Sequence, residues 1–295
     1  MSEHDLLAER FETQRGHLRA VAYRMLGSMS EADDAVQEAW LRVSRAETTQ
    51  VENLPGFLTT VVARVCLDQL RSRKARREEP LEPTDLHVRP ESAAEASAED
   101  EAVLADSVGL ALLVVLDTLS PPERLAFVLH DLFAISFEEI GSIVGRTPTA
   151  ARQLASRARR RVQGRPAVPE EELDEQRTII QAFLGALRRG DVDAMLLLLD
   201  PELVVNAEFA PGQSREIRGA KNWVKGALAF RQQHGSVSVA LVDGSVGLLL
   251  APHGQLSRVL RFQFFGGKIA GVEVIADPAR LRTLDIAVID ASTPA

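Results

Sequence analysis

The hydrophobic pattern of this chain changes period once, and that change limits its fold more than any other feature. Up to residue 163 the apolar side chains recur at helical spacing, whereas after residue 170 helical stretches are mixed with short alternating, β-rich runs. Leu6, Phe11, Leu18, Val21, Ala22, Met25 and Leu26 form one helical stripe, and Ala35, Val36, Ala39, Trp40 and Val43 a second, within 6–47. Ser30 followed by Glu31, Asp33 and Asp34 predicts an N-cap with acids in the first turn, hence a helix starting near Glu31. A third helix is predicted after Pro55, through Phe57, Leu58, Val61, Val62, Val65, Leu67 and Leu70, into the basic end Arg71–Arg77. In the last third, helices are predicted at Leu173–Arg189, Val192–Leu199 and Ala220–Gln233, and strands at Leu203–Phe209, Val237–Val242, Val246–Ala251, Leu256–Phe265 and Ile269–Ala276. Helices grouped around successive strands imply an α+β domain with a mainly antiparallel sheet.

Two breaks separate these parts. Between Glu78 and Asp106 stand ten acids, three prolines and a single cation, Arg89, a composition that buries little and predicts a flexible linker. Gly164-Arg-Pro-Ala-Val-Pro169 is the second break. The expected organisation is therefore multidomain: an all-α domain over 1–77, an acidic linker over 78–100, a second all-α domain over 101–163, a short linker over 164–172, the α+β domain over 173–285, and a tail over 286–295.

The net charge of −8 argues at first against nucleic acid, because a DNA-binding surface must neutralise phosphates. Its distribution reverses that argument. Cations are concentrated in Arg64–Arg77 and Arg146–Arg165, and local sign decides what a surface attracts. A cytosolic protein is expected, since no long uncharged apolar run or secretory pattern appears. Cys66, the only cysteine, excludes an internal disulfide and falls on an apolar helical face, which predicts a buried structural thiol.

The constellation that points to chemistry is Ser136–Arg161. A capped short helix with Ile140, Ile143 and Val144 inward meets a turn at Gly145, and a second helix opens with Pro148, which is helix-turn-helix spacing. On the second helix Ala150, Leu154 and Ala158 are expected to face inward. Arg146 and Thr147 at its start, then Thr149, Arg152, Gln153, Ser156, Arg157 and Arg160, are the expected DNA-facing residues. Between Ile140 and Pro169 there is no acid, so a plain solvated helix would repel itself; Arg is the usual choice for phosphate and guanine contacts.

With those residues in view, Ser120–Phe133 and the helix-turn-helix resemble region 4 of the extracytoplasmic-function (ECF) sigma factors of the sigma-70 family, whose second helix reads the minus-thirty-five promoter element. Gly27–Val43 resembles the region 2 helix that docks on the clamp coiled coil of RNA polymerase. By position the resemblance makes Asp33, Asp34, Gln37, Glu38, Leu41 and Arg42 the polymerase-contact candidates. Leu58–Arg77 resembles the segment that holds melted minus-ten DNA, with Arg64, Arg71, Arg73, Lys74 and Arg76 as its basic face; Arg64 stands where many relatives have Asn. Residues 173–285 resemble the SnoaL-like branch of the NTF2-like fold, carried by a subgroup of these factors and thought to regulate them within the same chain. Asp277-Pro-Ala-Arg-Leu281 resembles that subgroup's C-terminal signature, which implies Asp277, Pro278, Arg280 and Leu281 in an intramolecular contact between the SnoaL-like and sigma domains. The implied partners are core RNA polymerase and promoter DNA, with no membrane.

Two other classes are weighed against this. A helix-turn-helix regulator with a small-molecule-sensing NTF2-like domain leaves the Asp33–Arg42 helix and the Arg64–Arg77 face without a purpose. An enzyme would need convergent ionisable groups; Asn206, Glu208, Trp223, His234, His253, Arg258 and Arg261 are the polar candidates, but they include no metal-ligand set and no telling His/Asp pair. No catalytic residue, cofactor or metal is therefore expected.

Overall fold

The computed structural model describes residues 3–45, 53–78, 109–210, 213–231, 237–252 and 255–289. They fall into two compact units, one drawn from Met1–Val108 and Leu116–Arg160, the other from Gly109–Val115 and Arg161–Ala295. The stretches expected as separate all-α domains, 1–77 and 101–163, lie for the most part together in the first unit. The predicted acidic linker falls almost wholly outside the described residues, as do 101–108 and the end of the tail.

In the first unit, α1 (Glu3–Leu26), α2 (Met29–Val43) and α3 (Leu54–Glu78) pack on one another. Phe11, Leu18, Met25, Met29, Leu58 and Leu67 are their largest fully buried side chains. The start of α2 corrects the predicted boundary: Ser28, not Ser30, is the N-cap, and the two hydroxyls lie 3.1 Å apart. Met29 is fully buried, so the helix extends back to bring it into the core. Beyond the linker come α4 (Leu110–Thr118), α5 (Pro121–Phe127), a π-helical turn (Val128–Leu132), α6 (Phe137–Val144) and α7 (Pro148–Gln163).

The second unit holds α8 (Glu170–Arg189), α9 (Val192–Leu198), β1 (Leu199–Ala210), β2 (Gln213–Arg218), α10 (Ala220–Arg231), β3 (Val237–Val242), β4 (Ser245–Leu250), β5 (Arg258–Phe265), β6 (Lys268–Ile275), α11 (Pro278–Leu281) and β7 (Ile286–Ala287). The strands form one sheet in the order β2-β1-β6-β5-β4-β3-β7. The pairing of β1 with β6 is parallel and the other pairs are antiparallel, as the mainly antiparallel expectation required. Alternation along the strands sends Val205, Ala207, Val246, Leu248, Phe262, Val272 and Val274 into one core with Ile180 and Phe183 of α8, Met195 of α9 and Val224 of α10. Helix α8 begins three residues before the predicted Leu173, because Glu170, Glu171 and Glu172 occupy its first turn, where the helix dipole favours acids. Strand β2 was not legible in the pattern: Gln-Ser-Arg-Glu-Ile-Arg is an edge strand with almost every side chain exposed.

The second break is an ordered connection. Gly164 ends α7 at φ +61°, a left-handed conformation, and a Cβ there would meet the Ala287 Cβ at 2.4 Å. The Val288 N–H donates to the Val162 carbonyl at 2.8 Å and the Ala167 N–H to the Gly244 carbonyl at 2.7 Å. A Gly164→Ala substitution combines strained backbone with overpacking, each worth about 1–3 kcal/mol. Hydrogen exchange of the Val288 and Ala167 amides is expected to accelerate in that variant, while amides of α1 and α2 keep their rates.

Cys66 is fully buried, as predicted, and burial pushes its thiol up to about 12. The raised folded value means that ionising the thiol favours unfolding. Stability from this group is complete below the unfolded value near 9 and is lost as pH rises toward 12. Ellman's reagent at pH 8 is expected to leave the native protein unlabelled and to titrate one thiol in denaturant; rapid native labelling would contradict the packing of α3.

Candidate nucleic-acid interface

The helix-turn-helix is built from local chemistry first. Ser136 starts α6 with a full capping box: its Oγ accepts the Glu139 N–H at 3.3 Å while its own N–H donates to Glu139 Oε2 at 3.2 Å. Ile140, Ile143 and Val144 face inward, as predicted, and Gly145 ends the helix in the left-handed region at φ +69°. Gly141 allows the turn to close over the helix. A Cβ at that position would meet the Arg146 carbonyl oxygen at 2.8 Å, and the Arg146 N–H donates to the Gly141 carbonyl at 2.9 Å. Thr147 then caps α7, its Oγ1 accepting the Ala150 N–H at 3.2 Å.

Helix α7 buries Ala151, Leu154, Ala155, Ala158 and Val162. Ala150, expected inward with Leu154 and Ala158, is only half-buried; Ala151 takes its place, a rotation of one position in the helical face. The opposite side is the predicted one. Arg146, Thr147, Thr149, Arg152, Gln153, Arg157 and Arg160 are exposed and Ser156 is half-exposed.

Three arginines of this helix are held by neighbours. The Arg152 guanidinium lies 5.1 Å from the Phe137 ring centroid, and Arg157 Nε donates to Glu123 Oε1 at 2.9 Å. Burial works against ionisation of Glu123, yet the Ser120 hydroxyl and the Arg157 guanidinium hold its carboxyl below the usual range. Arg159, not among the predicted DNA residues, donates to Asp131, whose side chain is largely buried. Helix α7 thus commits Arg159 to the fold, while Arg152 and Arg157 are steadied by neighbours and still exposed on the outward face.

In the first three helices the predicted polymerase-contact residues form an outward stripe. Asp33, Asp34, Gln37, Leu41 and Arg42 are exposed, and Leu41, at 47% exposure, is a large apolar side chain left in solvent. Asp33 is held by Arg19 of α1 at 2.8 Å and Glu38 by Arg42. Between α2 and α3 runs a charged cleft of about 400 Å³, lined by Asp34, Glu38 and Arg42 on one side and Asp68, Gln69 and Arg76 on the other. Of the predicted basic face, Arg64, Arg71, Lys74 and Arg76 are exposed. Arg73 is half-buried, donating to the Leu26 carbonyl at 3.4 Å and paired with Glu31, so it braces α3 against the α1–α2 corner. Its place in the basic run gave no hint of this, because the two partners lie more than 40 residues away in sequence.

In the second unit, Asp277 is buried and caps α11, accepting the Arg280 N–H at 2.9 Å. Arg280 pairs with Glu208 and with Glu273, the latter at 2.9 Å, and these hydrogen bonds raise its already high pKa. Pro278 is exposed and Leu281 half-buried. Arg261 pairs with Glu273 at 3.3 Å and Asp243 at 3.5 Å on the same side of the sheet. Trp223 packs instead against the core on the other side, and its buried Nε1 has no hydrogen-bond partner. Of the polar candidates for an enzyme, Glu208 and Arg261 thus lie on one side of the sheet and Trp223 on the other. His234 and His253 lie outside the described residues, and the described residues hold no His/Cys/Asp/Glu group suited to a metal.

Replacing Arg159 by Ala leaves the Asp131 carboxylate buried without its cation, which costs about 1–3 kcal/mol. Arg160→Ala, on the exposed side, is expected to stay within about 0.5 kcal/mol of the parent. Denaturant titrations of the two variants make the comparison; equal destabilisation would mean that α7 does not divide its arginines in this way.

The family model "Sigma-70 region 2" matches residues 11–76, and "Sigma-70, region 4" matches residues 109–162. The chain is 33% identical to "Probable ECF RNA polymerase sigma factor SigI" of Mycobacterium tuberculosis over 285 residues, 96% of this chain and 98% of that protein. It is 35% identical to "ECF RNA polymerase sigma factor SigJ" of the same species over 292 residues, 91% of each. The crystal structure of M. tuberculosis SigJ superposes with a TM-score of 0.45 at 31% identity, covering 93% of this chain and 98% of that one. The two sequence alignments run well past residue 162, so the α+β unit is shared with these relatives and is not an unrelated appendage. By its two sigma regions and its near full-length identity to these relatives, the chain belongs to the ECF sigma factors of the sigma-70 family.

Proposed function

We propose that this protein binds core RNA polymerase in the cytoplasm and directs promoter-specific initiation, with its α+β unit adjusting that activity in cis. The exposed, acid-free face of α7 carries the reading. Thr149 and Gln153 offer hydrogen bonds to base edges of the minus-thirty-five element, and Arg146, Arg152, Arg157 and Arg160 offer cations to its phosphates. The stripe Asp33, Asp34, Gln37, Glu38, Leu41 and Arg42 docks on the clamp coiled coil, with Leu41 as its apolar anchor. Arg64, Arg71, Lys74 and Arg76 hold the melted minus-ten strand, and Arg73 keeps α3 in place for them. Asp277, Pro278, Arg280 and Leu281 serve the contact between the α+β unit and the sigma regions; Asp277 and Arg280 set the shape of that segment, leaving Pro278 outward.

The test is transcription in vitro with core polymerase on promoters selected by this protein, comparing the full chain with one ending at Pro169. Specific initiation by the full chain and altered output from the short one are expected; failure of both to bind core polymerase would defeat the reading. Within the active holoenzyme, Arg160→Ala is expected to weaken promoter binding across sequences and to lower the salt slope by about 1. Leu41→Asp is expected to reduce core binding at least tenfold while leaving the fold intact.

A further inference from the structure

The outward arginines of α7 are not held alike. Arg157 spends its Nε on Glu123 Oε1 at 2.9 Å, and Arg160 donates through Nη2 to the Ser156 hydroxyl at 3.3 Å. Arg146 stands exposed in the turn before the helix. Arg152 is held in another way: its guanidinium lies over the Phe137 ring, 5.1 Å from the centroid, and among the described residues no carboxylate pairs with it. A contact through the π face leaves all of the in-plane N–H donors of an arginine available.

Phe137 is itself fixed from below. The His130 ring lies against it, with centroids 3.9 Å apart and planes at 30°, and His130 Nδ1 donates to the Ile135 carbonyl at 3.0 Å. An unusual turn supplies that acceptor. Val128–Leu132 is π-helical, the Ile135 N–H reaches back to the Leu129 carbonyl at 2.9 Å, and Ala134 is left-handed at φ +54°, a conformation that residues with side chains rarely adopt. The next residue after His130, Asp131, takes Arg159. Arg152 and Arg159 are seven residues apart, about two helical turns, so the π-helical turn steadies α7 at two levels, Arg159 directly and Arg152 through Phe137.

We infer that His130 and Phe137 are positioning residues that aim Arg152 at a base edge, so that Arg152 reads a guanine in the minus-thirty-five element and goes beyond the phosphate contact that charge alone assigns to it. Bidentate donation to guanine O6 and N7 requires a guanidinium of fixed plane with its N–H edge free. A phosphate contact makes no such demand, because a mobile cation neutralises it as well. Base edges are met by the N-terminal part of the second helix of a helix-turn-helix. Arg152 stands there, next to Gln153 and one turn from Thr149, whereas Arg157 and Arg160 lie further along α7. An arginine held by a carboxylate has to give up that partner to reach DNA; one held by a ring face does not.

This inference rests on the promoter-reading role of α7, and its test keeps the two apart. In the full chain, ¹⁵N relaxation of the arginine Nε–H groups is expected to show Arg152 rigid and Arg146 mobile. Phe137→Leu, which keeps an apolar side chain at a half-buried position, and His130→Leu are expected to free Arg152, while Phe137→Tyr, which keeps a ring, leaves it rigid. Duplexes randomised across the minus-thirty-five element are then selected with the full chain bound to core polymerase and, in parallel, with the full chain alone. The parent is expected to prefer guanine at one position by at least about fivefold. Arg152→Ala, Phe137→Leu and His130→Leu are expected to lose the preference at that position and keep it elsewhere, Phe137→Tyr to retain it, and Phe137→Leu to add nothing in the Arg152→Ala background. Arg160→Ala is expected to weaken binding to all sequences alike. A stack that served stability alone would lower affinity without changing the preference at one position. Arg152 mobile in the parent, or a guanine preference that survives Arg152→Ala or Phe137→Leu, would overturn the inference. A chain whose guanine preference depends on Arg152 and Phe137 but that never binds core polymerase would keep the stack and remove the sigma reading; a parent that selects no sequence in either form would remove both.

Discussion

A guanidinium with almost no water around it organises the first unit. Arg124 satisfies a backbone carbonyl at the end of α1, a carboxylate on α4 and the closed corner at Gly27, and it does so from a helix whose own start is fixed by the Ser120–Glu123 capping box. Neutralising or shortening that side chain would remove one of the links between elements a hundred residues apart in sequence, the others including Phe133 against His17 and Arg24. A buried charge gains little net stability by itself, so the apolar side chains packed around it, Leu125, Val128 and Leu129 among them, hold the unit together.

The neighbouring residues divide their tasks in a similar way. Glu123 both caps α5 and holds Arg157, so the helix that presents Arg124 also positions a cation of α7. Arg159 and Arg73 are consumed by the fold, through Asp131 and through Glu31 with the Leu26 carbonyl, while Arg160, Arg64 and Arg71 beside them face outward. An arginine run is therefore a mixture of braces and outward-facing side chains. Charge density alone does not separate them, because the distinction depends on which carboxylate another element brings within reach.

The α+β unit follows a different logic. Its core forms between one face of the sheet and α8, α9 and α10, while ion pairs of Arg261 and Arg280 with Asp243, Glu208 and Glu273 cross strands on the other face. Those pairs involve half-exposed side chains and add modestly to stability. Their clearer effect is to fix the segment after β6, where Asp277 caps a single turn of helix and leaves Pro278 outward. The connection from α7 is equally constrained, since Gly164 and Gly244 are both sites where backbone approaches other residues too closely for a side chain.

Much of this was legible in the residues. Apolar spacing located α1 to α3, α6 and α7, capping and glycine signals located the turn at Gly145, and alternation located five strands to within a few residues, because each of these depends on neighbours only a few positions away. The exposed faces of α2 and α7 were legible for the same reason: helical geometry assigns a face once the buried stripe is known. What the residues alone did not reveal were the edge strand β2, the short β7, the structural duty of Arg73 and Arg159, and the seat of region 4 on region 2 through Arg124. Each of these depends on a partner far away in the chain, and no local pattern encodes where a distant carbonyl or carboxylate will come to rest. Sequence by itself determined the period, the caps and the charged faces; tertiary structure decided which charges are buried, which are paired, and which remain for a partner, since only packing sets the distance between them.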